Sequence, residues 1–382
     1  MRLLPTPEQE KLFYKCAGVS RWAYNYFIGM NKDNFDKYKK GETDKKYINQ
    51  FAVRKHINND LKPTTHTWLK EVSSSIMKQA VRDADKNYQM FFKGLYNKPG
   101  FKSKKTHKPS FYVNYETLYR TQKGFRGERL GEIKTSERLP KIGKGKKYSD
   151  PRVTYDGMYW HLTAGYEVGV KEVDLTDEII GIDLGVTNLA ICSNGVTYGN
   201  INKTRKMVKL EKRLKREQRK LSRKRNIRKK NYPTRNIEDC KNFQKQLNKV
   251  RKVYRTMTNI RVNHLHQASI EIVKTKPSKI VMEDLNVKGL MKNKNMSKKL
   301  REQKLRQFRD MIEYKSERYG IEFELADRFF PSSKICSVCQ VKKQKLTLSE
   351  RTFKCDSCGA EVDRDYNASI NLKNYSNLRN VK

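Results

Sequence analysis

The sequence predicts a multidomain α/β chain whose C-terminal half carries buried, parallel-type strands. Three observations carry this expectation. Two short apolar runs, Ile179-Ile-Gly-Ile-Asp-Leu-Gly185 and Lys279-Ile-Val-Met-Glu-Asp-Leu285, have the unbroken hydrophobicity of strands covered on both faces. Stretches of helical periodicity lie between and after them, the alternation that builds βα units. The first half of the chain has a different texture, helical and then short and alternating, as separate domains would.

At 382 residues the chain can hold more than one domain and a substantial core. Its 84 Lys and Arg against 41 Asp and Glu give a formal charge of +43. Self-repulsion of that size opposes compaction unless a polyanion offsets it, so nucleic acid is the expected partner. The chain opens on no secretory segment and holds no apolar run long enough to span a bilayer, which predicts an intracellular protein with no membrane partner.

The elements follow in order. Arg2-Leu-Leu4 reads as a strand end, and Thr6-Pro7-Glu8-Gln9 as a capping box with proline in the first turn of a helix. Helical spacing continues with breaks to about Phe92, through Phe13, Cys16, Phe27, Met77, Val81, Ala84 and Tyr88, and predicts a small helical domain. From about Pro99, Gly- and Lys-rich clusters separate alternating segments such as Phe111-Tyr-Val-Asn-Tyr115 and Met158-Tyr-Trp-His-Leu-Thr163. That is the pattern of short antiparallel strands in a small β-barrel.

After Glu172 the strand–helix pattern begins. Residues 179–183 form the first strand, and 188–192 with 196–198 a hairpin around Asn194-Gly195. Residues 201–260 carry 23 Lys and Arg against four acids, with apolar positions at Met207, Leu210, Leu214 and Leu221, then Phe243, Leu247, Val250, Tyr254 and Met257. These spacings predict two amphipathic helices turned back at Tyr232-Pro233. The charge is too one-signed for a merely solvated surface, and the hairpin is expected to face nucleic acid. A separate helix over about 258–274 leads into a strand at 280–283, and a helix through Leu305, Phe308 and Ile312 leads into a strand at 321–325. A last helix follows the cysteines. Strand, hairpin, helix, strand, helix, strand, helix is an RNase H-like layout.

Three acids sit at telling places in that layout: Asp183 and Glu283 at the ends of the buried strands, and Asp365 at the opening of the last helix. Any one alone is an ordinary strand-end or turn residue. Together at one sheet edge they have the hard oxygen donors that two Mg²⁺ (or Mn²⁺) ions require for phosphodiester hydrolysis. Asp183 is read as the bridging ligand, with Glu283 and Asp365 completing the set. Asp284 should face the opposite side of its strand, and Asp363 is placed beside the site. Arg328 and Arg364 are candidates either to contact the scissile phosphate or to pair with a carboxylate. The Gly-Ile-Asp-Leu-Gly run also matches the first phosphate loop of actin-like ATPases. No second Asp-x-Gly loop follows it and no Walker pattern exists, so neither nucleotide hydrolysis nor another small-molecule substrate is expected.

Cys336-x-x-Cys339, fifteen intervening residues and Cys355-x-x-Cys358-Gly359 have the spacing of a four-thiolate ribbon holding a structural Zn²⁺. The isolated Cys16, Cys192 and Cys240 read as small buried hydrophobes.

With these residues in view, the chain resembles the TnpB family, transposon-encoded RNA-guided DNA endonucleases related to compact type V CRISPR effectors. The matching stretches are Arg2-Leu-Leu-Pro-Thr-Pro-Glu-Gln9, Gly100-Phe-Lys-Ser-Lys104, Gly181-Ile-Asp-Leu-Gly185, Val281-Met-Glu-Asp-Leu-Asn286, Pro331-Ser-Ser-Lys-Ile-Cys336 with its partner cysteines, and Asp363-Arg-Asp-Tyr-Asn-Ala-Ser369. The resemblance implies a wedge-type β-barrel over 1–5 and 99–172, interrupted by a helical recognition domain over 6–98. It implies a RuvC-like nuclease domain over 173–330 and 361–382, and a zinc ribbon over 331–360 that handles target DNA. It further implies a guide RNA from the transposon end and a double-stranded DNA target cut beside a short adjacent motif. Cleavage would occur at one centre, with Asp183, Glu283 and Asp365 in the catalytic positions, and the expected location is the cytoplasm and nucleoid of a prokaryotic cell. Gln340 stands where a glycine often follows the first knuckle.

Other functions fit less well. The intact acidic trio disfavours a non-cutting accessory factor or regulator. A junction-selective nuclease has no use for the barrel, the helical domain or the excess charge. No Tyr or Ser constellation supports transposase chemistry.

Overall fold

The computed structural model describes residues 1–143, 145–170, 172–234, 236–347 and 349–378. The chain divides into two compact units, Met1–Glu167 and Val168–Lys382.

The first unit opens with β1 (Leu3–Leu4) and the long helix α1 (Pro7–Lys39). The capping box forms as its sequence dictates: the Thr6 hydroxyl accepts from the Gln9 N–H, and the Gln9 carboxamide accepts from the Thr6 N–H. Asn49 caps α2 (Gln50–His56) and Ser73 caps α3 (Ser74–Phe92). The strands β2 (Ser110–Tyr112), β3 (Tyr119–Arg120), β4 (Gly124–Gly127), β5 (Gly131–Thr135), β6 (Ser149–Tyr155) and β7 (Trp160–Gly165) follow. They form two antiparallel sheets, β1-β5-β4-β3 and β2-β6-β7. The N-terminal segment links the two, because Arg2 bridges to His161 and the Met1 ammonium donates to the Leu162 carbonyl at 2.9 Å. Helices and strands share one core, in which Phe13 meets Trp160 edge-on at 5.2 Å and Phe111 at 5.6 Å.

The second unit begins with β8 (Thr176–Leu184), β9 (Asn188–Cys192) and β10 (Thr197–Gly199). The β9–β10 turn uses Gly195 at φ +84°, the left-handed conformation glycine tolerates. Next come α4 (Arg205–Asn231), α5 (Lys241–Lys274), β11 (Pro277–Glu283), the short α6 (Val287–Leu290), α7 (Lys294–Gln303), α8 (Leu305–Arg318) and β12 (Glu322–Ala326). The sheet order is β10-β9-β8-β11-β12, with β11 parallel to both of its neighbours. The unit ends with the hairpin β13 (Thr352–Lys354) and β14 (Glu361–Asp363), then α9 (Arg364–Lys373) and α10 (Tyr375–Leu378).

Three details differ from the sequence expectation. The helix expected over 258–274 is not separate: α5 runs unbroken from 241 to 274. Its buried positions over the first half are Phe243, Gln246, Val250, Val253 and Met257, so Gln246 and Val253 are buried where Leu247 and Tyr254 were expected. Gln246 tolerates burial because its amide donates to the Glu217 carbonyl and carboxylate of α4 at 3.1 and 2.7 Å. Cys16 and Cys192 are buried, whereas Cys240 is half-buried at the start of α5. Among the described residues, no helix is long and apolar enough to cross a membrane.

Candidate functional site

Sheet register puts Asp183 beside Glu283. β8 and β11 run parallel with Ile182 opposite Met282, so the next residue on each strand projects from the same face at the same level. Asp183 lies opposite Ile191 of β9 on its other side.

Asp365 arrives on α9. Asp363 is the N-cap of that helix, its carboxylate accepting from the Asp365 and Tyr366 N–H groups at 3.0 and 2.9 Å. The helix reaches β8 because position 181 is glycine. A Cβ there would stand closer than 3.0 Å to the Ser369 carbonyl oxygen, Lys373 N and Leu372 C. The motif around Asp183 thus contains the gap that admits the backbone of the helix bearing Asp365.

The electrostatics follow from this crowding. Burial raises the Asp183 pKa well above the usual carboxylate range, and the charges of Glu283 and Asp365 raise it further against the opposing pull of Arg364. Glu283 is pushed up to about 7 by burial and then by Asp284. Asp183 is thus crowded by negative charge that Arg364 offsets only in part. Asp365 is tied instead to Arg364, whose Nε and Nη2 donate to one carboxylate oxygen at 3.0 and 2.9 Å, with Arg351 3.9 Å from the other. Asp284 belongs to a different set: Arg309 lies 3.2 Å and Arg328 2.5 Å from its oxygens. Both arginines left open by the sequence, Arg328 and Arg364, therefore have carboxylate partners here. The three acids are not drawn together as tightly as the cysteines described below. Two ions roughly 3.5–4 Å apart can span a wider ligand set than one ion can.

Beside Leu184 and Glu283 opens a cleft of about 730 Å³. Arg301, Lys304, Arg306, Arg309 and Arg328 outnumber Glu283, Asp284 and Asp310 along it, a lining suited to a polyanion.

Among the described residues, one group of three or more His, Cys, Asp or Glu side chains has all its ligand atoms within 4.8 Å of one another: Cys336, Cys339, Cys355 and Cys358. The two knuckles are near copies. The Gln340 N–H donates to the Cys336 carbonyl at 2.9 Å, and the Gly359 N–H to the Cys355 carbonyl at 3.0 Å. Backbone N–H groups of Cys358 and Ser357 pull the Cys355 thiol down to about 6, favouring the thiolate a metal needs. Cys355→Ser should therefore lose the bound ion and local order, which metal analysis and hydrogen exchange over 331–363 would show. Unchanged metal content would contradict it.

The knuckles differ in the residue that closes each turn. Gln340 takes φ +63° where Gly359 takes φ +74°, so the side chain sits in a conformation unfavourable to L-residues. Gln340→Gly should stabilise the folded cluster by about 1 kcal/mol, read as slower metal release to a chelator. Faster release would refute this.

Two residues that the sequence pattern did not single out join the cysteine segment to α9. Asn367 donates to the Ile335 carbonyl and accepts from the Ser337 N–H at 2.7 and 2.9 Å. Asn371 donates to the Ser332 and Ile335 carbonyls at 2.7 and 2.6 Å. Two asparagines four apart on one face of an otherwise small-residue helix are the available signal.

Family comparisons agree along most of the chain. Residues 1–40 match the helix-turn-helix domain model of OrfB_IS605, 164–294 the OrfB_IS605 model described as "Probable transposase", and 306–372 the Cas12f1-like TNB domain model. A TnpB-like protein of Acanthamoeba polyphaga mimivirus, L770, is 24% identical over 97% of this chain and 72% of its own. The chain belongs to the TnpB family. In this TnpB chain the segment matched as helix-turn-helix is β1 and a single continuous α1. A Streptomyces pristinaespiralis relative that bears the name "Putative RNA-guided DNA endonuclease" is 29% identical over 97% of this chain and 87% of its own. In fold, the chain is similar to Cas12f1 as seen in a complex with sgRNA and target DNA, at a TM-score of 0.54 and 16% identity, covering 97% of this chain and 84% of that one.

Proposed function

We propose that this TnpB protein is an RNA-guided endonuclease that cuts double-stranded DNA beside a short adjacent motif. Asp183, Glu283 and Asp365 would hold two Mg²⁺ or Mn²⁺ ions at a single RuvC-like centre. The observation that carries the reading is the meeting of β8, β11 and α9 around Gly181, which couples three acids from distant parts of the sequence. The donor set fits such ions, being all carboxylate oxygen and partly desolvated. Divalent ions bound there supply Lewis-acid stabilisation of the phosphodiester and a lowered pKa for water. Around them, Asp363 fixes the first turn of α9, Arg364 orients the Asp365 carboxylate, and the basic cleft beside Glu283 receives the strand to be cut. Four thiolates without an open position suit a structural Zn²⁺. The guide is taken to be RNA from the transposon end, and the working location the cytoplasm and nucleoid.

The test is co-expression with the flanking transposon DNA, sequencing of the RNA that copurifies, and a challenge with a plasmid library randomised beside the guide match. Specific RNA and cutting at one adjacent motif are expected. Absence of a defined RNA, or cutting that persists in Asp183→Ala with Mg²⁺ present, would overturn the reading.

A further inference from the structure

We propose that a basic cavity in the first unit is a receptor for one phosphodiester group of a nucleic-acid backbone, with Arg21, Lys102, His107 and Lys108 as its contacts. The cavity measures about 250 Å³ and lies among α1, α3, the 102–110 segment and β6. That is ample for a phosphoryl group.

Its charges are unbalanced. The one carboxylate in its lining, Asp83, is held by Arg152, whose two guanidinium nitrogens donate at 2.7 and 3.0 Å, and accepts from Gln79 at 2.9 Å. Arg152 is further engaged by Asp150. Among the described residues, Arg21, Lys102 and Lys108 have no carboxylate at ion-pairing distance. The cavity therefore presents several donors and no free acceptor of matching charge.

Lys102 is placed there by its backbone. Its N–H donates to Asn25 Oδ1 at 2.7 Å, and Asn25 Nδ2 donates back to the Lys102 carbonyl at 2.8 Å. The ammonium sits 3.5 Å above the centroid of the Tyr24 ring. Ser103 organises the next turn: its Oγ accepts from the Thr106 N–H at 3.1 Å and its carbonyl from the His107 N–H at 3.0 Å. This turn brings His107 and Lys108 to the same cavity. Burial lowers the Lys102 pKa, with Arg152 adding to the fall and Asp83 opposing it. Burial also lowers that of His107, and Lys102 and Arg21 lower it further. An anion among them would relieve that repulsion.

A tetrahedral phosphoryl anion accepts several N–H donors at once, from a guanidinium fork, an ammonium and an imidazole. A contact to a phosphoryl group positions a strand without specifying its sequence. Lys102 belongs to Gly100-Phe-Lys-Ser-Lys104, a stretch the acid centre does not use. Free inorganic phosphate offers the same chemistry, but the +43 charge of the chain favours a polyanion. The proposal rests on the nucleic-acid-binding part of the proposed function and not on cleavage.

The test measures affinity of the full chain for a single-stranded RNA and for duplex DNA across a salt series. Lys102→Met and Arg21→Gln should each weaken binding to unrelated sequences alike and reduce the slope of log K against log salt by about 1, while Lys102→Arg retains it. Circular dichroism checks folding, and Arg21→Gln carries the test if Lys102→Met does not fold. Unchanged slopes in folded variants would overturn the proposal. So would inorganic phosphate raising the melting temperature of the wild type but not of Lys102→Met with no change in slope, which assigns the cavity to free phosphate. Lost cleavage with normal slopes in an Asp183 variant concerns the acid centre alone.

Discussion

Asp183→Asn should lose cleavage by at least about 10³-fold and at the same time make the metal-free protein more stable. Removing the carboxylate proposed to bridge two metal ions would take away several kcal/mol of charge stabilisation, and each 1.4 kcal/mol is about a factor of ten in rate. The stability gain has a separate cause. The Asp183 carboxyl titrates above its ordinary value of 3.8 because it is buried beside Glu283 and Asp365. The folded chain therefore keeps a proton that the unfolded chain has released. The contribution of Asp183 to stability is largest below about pH 4 and is lost as pH rises through the folded pKa. Asparagine carries no such charge. In chelator, the melting-temperature difference between variant and wild type should widen from about pH 4 towards neutrality, and Mg²⁺ should narrow it by stabilising the wild type alone. A variant that cuts normally, or one less stable than wild type in chelator at neutral pH, would remove Asp183 from the proposed centre.

Local chemistry was legible in the sequence where it depends on neighbours in the chain. Thr6 and Gln9 form their box because the partners are three apart, and Gly195 turns the β9–β10 hairpin because the turn itself demands it. The strands ending in Asp183 and Glu283 were readable from their apolar runs. What escaped depends on partners far away. The seam of α5 could take either of two phases, and Gln246 is inside only because Glu217 of α4 meets its amide. Thr256, Thr258 and Asn259 weaken the helix locally. The helix continues because Met257 is buried against α4 and Leu265 in the sheet core. Asp363 and Asp365 look alike in sequence, and the first is an N-cap. Gln340 shows that a turn geometry can persist when its preferred residue does not.

Gly181→Ala should be the most damaging single methyl addition in the second unit, because both sides of the contact are backbone. Ser369 O, Lys373 N and Leu372 C would all lie within 3.0 Å of the new carbon, and none can rotate away as a side chain would. The strand cannot retreat, since the Gly181 N–H donates to Ser193 Oγ at 3.0 Å and its carbonyl accepts from the Ser193 N–H at 2.9 Å. Helix α9 must therefore move. Overpacking of this kind costs about 1–3 kcal/mol, and the upper part of that range is expected for a backbone clash. Cleavage should fall further than stability accounts for, because a displacement of about 1 Å at a reacting centre costs about 10²-fold. Gly199→Ala is the matched control: it lies on β10 of the same sheet, and an added Cβ meets nothing within 4 Å. Melting and cleavage measured together separate the two effects, since simple unfolding would be reversed by lowering the temperature while a misplaced Asp365 would not. If Gly181→Ala cuts as well as Gly199→Ala, the closeness of α9 to β8 is not what gathers the acids, and the proposed centre loses its structural basis.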